Sequence, residues 1–335
     1  MTYHKLNKCF TQRGKIVQKW LGFWALAFIW GSSFALISVG VRETSFFQLV
    51  FIRTLIAAVG LNVVLALRGK HIPFDIRGLI PLFIIGVGNT TIPFALITWG
   101  EKTVASGLAS VIQASVPMFS LVIAHFAFAD ERITRKKLIG VVVGFAGIVV
   151  LSGSSLLEGD LLNSGFLGQL AIIIASLCYA SFGVYSRKQI QNRYEPLIVS
   201  AGSLTFAALT SGIGMILAPY FGGDAATPLN QISSDALWSI LALGFFNTFV
   251  AYLIFYWVLQ QLGAARGSMV TYVIPVVALT LGAVFLNEEM TPQMIFGAVL
   301  IFAGIAIVNV KWSKVMQIFR SQSAESVPIP NEKTT

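Results

Sequence analysis

The chain has 335 residues, of which 56% are hydrophobic and only 11% charged, with a net charge of +9. An ordinary soluble domain carries about 25% charged residues, so this composition excludes a water-soluble enzyme, a disordered chain and a nucleic-acid binder. The basic residues fall between long apolar runs, which is the pattern of a protein oriented in a lipid bilayer.

Residues 1–19 are a basic tail carrying Lys5, Lys8, Arg13, Lys15 and Lys19. The apolar run that follows is too long for a signal-peptide core and lacks a small-residue cleavage site, so a retained first helix is expected. A spanning helix needs roughly 20 mostly apolar residues. The runs at 20–40, 45–67, 77–100, 104–128, 136–152, 166–186, 196–219, 236–259, 264–287 and 293–311 qualify. Open strands would leave edge N–H and C=O groups unpaired in hydrocarbon. The expected fold is therefore an all-α membrane protein of ten transmembrane helices. The tail 312–335 is polar, holds Pro328 and Pro330, and is expected to be disordered. Cys9 and Cys178 fall in different environments, so neither a disulfide nor a metal site is expected.

The lysines and arginines sort by side. Alternate connections hold the N-tail cluster, Arg68/Lys70/Arg77, Arg132/Arg135/Lys136/Lys137, Arg187/Lys188/Arg193, Arg266 and the C-tail residues Lys311, Lys314, Arg320 and Lys333. The other connections hold only Arg42 and Lys102. The positive-inside rule then places both termini in the cytoplasm. Arg53 is set apart from both groups, inside the second span.

The two halves repeat. Moving residues 79–134 by 158 positions lays Gly86 on Gly244, Asn89-Thr90 on Asn247-Thr248, Trp99 on Trp257, Ser110 on Ser268, Pro117 on Pro275 and Glu131 on Glu289. Phe145-Ala146-Gly147-Ile148 matches Phe302-Ala303-Gly304-Ile305, and Ser33-Phe34 matches Ser181-Phe182. Each half, 20–152 and 166–311 with the external linker 153–165 between, thus carries five helices. Five is odd, so the halves enter the membrane from opposite sides. An inverted repeat of this kind supports alternating access, because exchanging the conformations of the halves turns one opening into the other.

Together these features resemble the drug/metabolite transporter superfamily, and within it the ten-helix EamA-type permeases. The resemblance rests on Trp30-Gly31-Ser32-Ser33-Phe34, Arg53, the stretch Ala105-Ser106-Gly107-Leu108-Ala109-Ser110 to Pro117, and the acidic pairs Asp130-Glu131 and Glu288-Glu289. It implies secondary transport of small metabolites, often export of amino acids or related compounds. It also implies a central cavity lined mainly by helices 1, 3, 4, 6, 8 and 9.

Polar residues repeating at helical spacing inside a span are expected to face inward. Helix 4 carries Ser106, Ser110, Gln113, Pro117 and Ser120 on one face, and helix 9 repeats it with Ser268, Thr271 and Pro275. Asn89 with Thr90 and Asn247 with Thr248 lie about 12 residues, roughly 18 Å, from their helix ends, near the midplane. Each proline frees the carbonyl four residues earlier, at Gln113 and Thr271. Trp30, Ser33, Tyr179, Ser181, Tyr252 and Tyr272 complete the candidate lining. Kinking for helix packing is the alternative for the prolines, and interhelical bonding the alternative for the asparagines. Arg53 either reaches the cavity and attracts a carboxylate, or satisfies itself on backbone carbonyls or by snorkelling. His125 could shuttle protons or simply hydrogen-bond. Gly140, Gly144 and Gly147 read as a packing face, within the fold or between protomers.

All fourteen acidic residues fall in loops, tails or helix ends, with none at midplane. Movement driven by the substrate gradient or the membrane potential is therefore expected, without proton exchange on a buried carboxylate. No cofactor motif is present. The expected partners are a small-molecule substrate and the bilayer, with no nucleic acid and with the chain a monomer or homodimer. The leading expectation is a bacterial inner-membrane exporter of amino-acid-like metabolites. An importer or exchanger of nucleotide-like or drug-like solutes is the alternative, and an integral-membrane enzyme a third.

Overall fold

A computed structural model describes residues 2–157, 164–190 and 193–309. They are helical throughout, with no strand among the described residues. The helices are α1 (Thr2–Val41), α2 (Phe46–Leu67), α3 (Ile76–Gly100), α4 (Ser106–Ala127), α5 (Arg135–Leu157), α6 (Ser164–Gln189), α7 (Pro196–Leu217), α8 (Ser234–Leu262), α9 (Val270–Phe285) and α10 (Pro292–Asn309). Among the described residues, seven stretches are long and apolar enough to cross a membrane: Val17–Val41, Phe46–Leu67, Ile76–Gly100, Ser106–Ala127, Ser164–Gln189, Pro196–Phe221 and Ser234–Leu262. Val270–Phe285 and Pro292–Val308 are apolar but shorter. The first helix starts well before its apolar part, at Thr2, because no proline interrupts the basic segment. The expected disorder of 312–335 and residues 158–163 of the linker lie outside the described residues, while the expected linker's ends are helical, in α5 through Leu157 and in α6 from Ser164.

Local chemistry sets the helix starts. The Ser45, Asp75 and Ser233 side chains accept hydrogen bonds from the backbone N–H groups of Gln48, Gly78 and Ala236. Each satisfies a donor that the first turn would otherwise leave open. Pro196 opens α7, where its missing N–H costs nothing.

Neighbours follow the repeat. Helix α1 packs on α8 and α9, and α6 packs on α3 and α4. Likewise α2 packs on α8 while α7 packs on α3, and α2–α7 and α5–α10 are direct pairs. Exchanging each helix for its counterpart five places on maps this set onto itself. Glycines let the α5–α10 pair close to backbone contact: a Cβ on Gly140 would lie 2.7 Å from Gly304 O, and one on Gly147 would lie 2.7 Å from Gly297 O. That glycine face is thus used inside the chain.

The following bonds between connections join ends that the basic-residue distribution puts on one side. Lys70 pairs with Glu195, and Arg187 with Glu131, on the basic side. Lys102 pairs with Asp224, Glu43 accepts from Ser233, and Gln48 bonds Thr227 on the other. The exposed ion pairs add little stability, but they record which ends share a face.

Candidate functional site

Two π turns interrupt the bundle at matched positions. Residues Val87–Thr91 form one in α3, and Phe245–Val250 form the other in α8. A π turn inserts an extra residue per turn, re-aims the side chains that follow, and recurs at functional sites. These turns hold the Asn89-Thr90 and Asn247-Thr248 pairs singled out by the repeat, which sequence periodicity alone reads as ordinary helix.

The α8 turn reaches inward. Asn247 is buried, and its Nδ2 meets Ser32 Oγ at 3.0 Å, Ser33 Oγ at 3.1 Å and Ile29 O, tying α8 to α1. The Thr248 hydroxyl donates to Leu243 O at 2.8 Å, five residues back, and accepts from Arg53 Nε at 2.8 Å. The α3 turn is used differently. The Thr91 hydroxyl bonds Thr210 Oγ1 at 2.7 Å and Gly86 O at 3.2 Å, fastening α3 to α7.

A cavity of about 340 Å³ lies between α1, α2, α3, α4, α6, α8 and α9. Of the residues singled out in the sequence, Trp30, Ser33, Arg53, Gln113, Pro117, Tyr179, Asn247, Tyr252, Thr271 and Pro275 line it. Asn89, Thr90, Ser181, Thr248 and Tyr272 do not. Asn89 sits half-buried and Thr90 buried on the α3 turn. The Ser181 hydroxyl is taken by Leu177 O at 2.8 Å, and Tyr272 packs against the main apolar core. Thr248 stands behind Arg53, as the acceptor that orients it. Phe34, Ile37, Phe94 and Ile97 complete the apolar wall. Phe34 was readable from its place beside Ser33, while Ile37 and Ile97 gave no signal above ordinary apolar residues.

Arg53 is 7% exposed and lines the cavity. Its guanidinium carbon lies 4.0 Å from the centre of the Phe94 ring, within cation–π range. Only Nε is hydrogen-bonded, so both terminal amino groups lack a hydrogen-bond partner among the described residues. A buried charge is tolerated only when it is paired or solvated. One neutral hydroxyl and one aromatic face leave room for an anionic group.

The two matched prolines act differently. Helix α4 breaks at Ala114-Ser115, ahead of Pro117, with tightened bonds from Ala114 N to Val111 O and from Ser115 N to Ile112 O. Pro275 sits inside an unbroken α9. His125 accepts a hydrogen bond from Ile133 N through Nδ1 at 3.2 Å.

The cavity is closed at one end and open at the other. At the start of α4, Ser106 and Ser110 are buried, and Glu288 binds the backbone N–H groups of Ser106 and Gly107 at 2.7 and 2.9 Å. At the start of α9, the counterpart Ser268 is exposed. Thr271 both lines the cavity and is exposed, so the cavity reaches the protein surface on its side. Helices α1 and α10 press on the first half of α4, while the exchanged contacts of α6 and α5 with α9 are at most marginal among the described residues.

The model of the EamA-like transporter family matches residues 20–153 and 166–310. An uncharacterised transporter of Bacillus subtilis, YoaV, is 28% identical over 303 residues, covering 89% of this chain and 99% of its own. The uncharacterised inner membrane transporter YedA of Escherichia coli is 27% identical, over 86% and 90%. A protein of Salmonella typhimurium named a "probable amino-acid metabolite efflux pump" is 29% identical, over 85% of this chain and 93% of its own. One solved crystal structure shares the fold, with a TM-score of 0.59 at 19% identity, over 87% of this chain and 97% of that one. With its membrane-length helices and a match that spans both halves, the chain is a multi-pass cell-membrane protein belonging to the EamA-like transporter family.

Proposed function

We propose that this transporter exports small amphiphilic metabolites bearing a carboxylate, with amino acids the leading class, by alternating access across a bacterial cytoplasmic membrane. The reading takes the chain to cross the membrane ten times, both termini inside, as inverted halves 20–152 and 166–311. The side-matched bonds between connections and the exchangeable neighbour set support that arrangement.

One observation carries the substrate class. Among the described residues, the cavity combines an apolar and aromatic wall with a single cation, Arg53, whose terminal amino groups make no hydrogen bond. Its volume of about 340 Å³ is at the small end of ligand pockets, which run from about 300 to 1,000 Å³. A guanidinium can receive a carboxylate in a two-pronged pair, and the aromatic wall suits an apolar side chain. A phosphorylated solute would call for more cations than one. The efflux-pump relative points the same way.

Tracer counterflow in proteoliposomes tests it. Vesicles preloaded with each amino acid in turn should accumulate the labelled form, and Arg53→Gln should sharply reduce that accumulation at tracer concentrations. Exchange of amines lacking a carboxylate, in preference to amino acids, would overturn the substrate class.

A further inference from the structure

Glu101 follows the last residue of α3, where the sequence reads as a loop, yet it is 5% exposed. Neither carboxylate oxygen has a hydrogen-bond partner among the described residues. Arg53, the nearby cation, makes no hydrogen bond to it: its Nε is held by Thr248 and its guanidinium lies against Phe94. An ionised carboxylate buried without a partner is among the most costly arrangements a protein can hold, and the group takes up a proton instead.

The surroundings favour the neutral acid. Burial comes first, and the charge of Glu288 second, in pushing the Glu101 carboxyl well above the usual carboxylate range, while Arg53 on α2 pulls the other way. The remaining groups at this end are occupied. Tyr179 of α6 and Tyr252 of α8 act on Arg53. Lys102 is paired with Asp224, Arg42 is exposed, and Glu43 holds Ser233. Three further buried side-chain atoms have no hydrogen-bond partner among the described residues: Thr98 Oγ1 on α3, Ser106 Oγ on α4 and Gln169 Oε1 on α6. Helices α3 and α6 meet there closely, since a Cβ on Gly100 would lie 2.8 Å from Gly168 O. Gln169 Oε1 is an acceptor without a donor, and a protonated carboxyl adds one more O–H to this set of unpaired groups.

We propose that Glu101 is a proton-binding site, filled when the cavity closes at its Ser106 end and emptied when that end opens to water. The proposal rests on the carrier reading above. Its sign follows from linkage. The closed form holds the neutral acid. The open, hydrated form holds an ordinary carboxylate that is ionised near neutrality. Closure is therefore favoured fully below the ordinary carboxylate range and loses that advantage as pH rises toward the raised value. The proposal departs from the expectation of movement without proton exchange on a buried carboxylate.

The test is the pH profile of amino-acid counterflow in proteoliposomes. Wild-type exchange should slow on acidification, with a limiting slope of about tenfold per pH unit for a single proton. Glu101→Gln should flatten the profile at the slow, acid-form rate. Glu288→Gln, which removes the neighbouring charge, should shift the wild-type midpoint toward acid, and this arm stands even if Glu101→Gln does not fold. A Glu101→Gln protein that keeps the wild-type profile overturns the site. So does a Glu288→Gln profile with no shift, or exchange that follows sodium at fixed pH instead of pH. Wild-type exchange that is pH-independent overturns the proton site alone, whereas no exchange of any amino acid at any pH overturns the carrier reading beneath it.

Discussion

Arg53 and Thr248 lie 195 residues apart in the chain and meet through one hydrogen bond, Nε to Oγ1 at 2.8 Å. The Thr248 hydroxyl spends its own hydrogen on Leu243 O, so its oxygen is free to accept. The π turn of α8 thereby fixes the one cation of the cavity wall. Thr248→Val keeps the shape and removes the acceptor. A buried donor left unpaired costs about 1–3 kcal/mol, so the variant should unfold at lower temperature than the wild type. It should also bind amino acids more weakly, as the guanidinium loses its fixed orientation. A thermal-shift series with and without substrate separates the two effects.

The charge itself makes a different prediction. A hydrogen bond to a charged group is worth about 1.5–3 kcal/mol, and 1.4 kcal/mol is about tenfold in affinity. Arg53→Gln should therefore raise the counterflow KM for amino acids by roughly 10- to 100-fold. The corresponding decarboxylated amines should change little. Equal losses for both classes would assign Arg53 to packing, with no part in recognition.

The asparagines should not be equivalent, although the repeat superposes them. Asn247 serves three α1 acceptors from a buried position on the cavity wall. Asn89 is half-buried and off that wall. Asn247→Ala should lower stability by about 1–3 kcal/mol and reduce exchange, while Asn89→Ala should leave exchange near the wild-type rate. The melting temperature and initial counterflow rate of the purified pair decide this.

The contrast between those residues shows what could be read from the sequence. Apolar run lengths gave the helices, and the 158-residue offset gave the paired polar residues Asn89-Thr90 and Asn247-Thr248, because those signals are local or periodic; the π turns that hold them were not legible. Arg53 was visible as the charge that did not belong in a span, but its partner was not, since nothing local marks Thr248 as its acceptor. Glu101 was invisible for the opposite reason. One residue past a helix looks solvated, and nothing local shows that α6 meets the neighbouring Gly100 or that Glu288 of the α9–α10 turn comes near from far along the chain. The difference between the matched prolines, one breaking α4 and the other inside an intact α9, likewise depends on what each half packs against.

Gly304 tests the α5–α10 pair. A Cβ there would lie 2.5 Å from Gly140 O and 2.7 Å from Gly144 N, both backbone atoms that cannot rotate away. Overpacking of this kind costs about 1–3 kcal/mol. Gly304→Ala should lower the melting temperature, while Gly183→Ala, with open space around the new methyl, should not. Equal behaviour of the two would mean that α5 and α10 do not meet at these glycines.

The two ends of the cavity can be compared directly at Ser110 and Ser268, which the repeat superposes. Ser110 is 1% exposed beside the end held by Glu288, and Ser268 is exposed. In a background with Cys9 and Cys178 replaced by serine, single cysteines at these positions should label unequally with a small maleimide. If opening the Ser106 end costs about 3 kcal/mol, the cysteine at 110 reacts about 100-fold more slowly than the one at 268. Glu288→Ala removes the acceptor for Ser106 and Gly107 N–H and so weakens that end. It should speed labelling at 110. If the ends alternate, it should also slow labelling at 268, because a shift toward one opening depletes the other. Faster labelling at both positions would mean that Glu288 holds the fold together, and labelling unchanged at 110 would remove it as the latch.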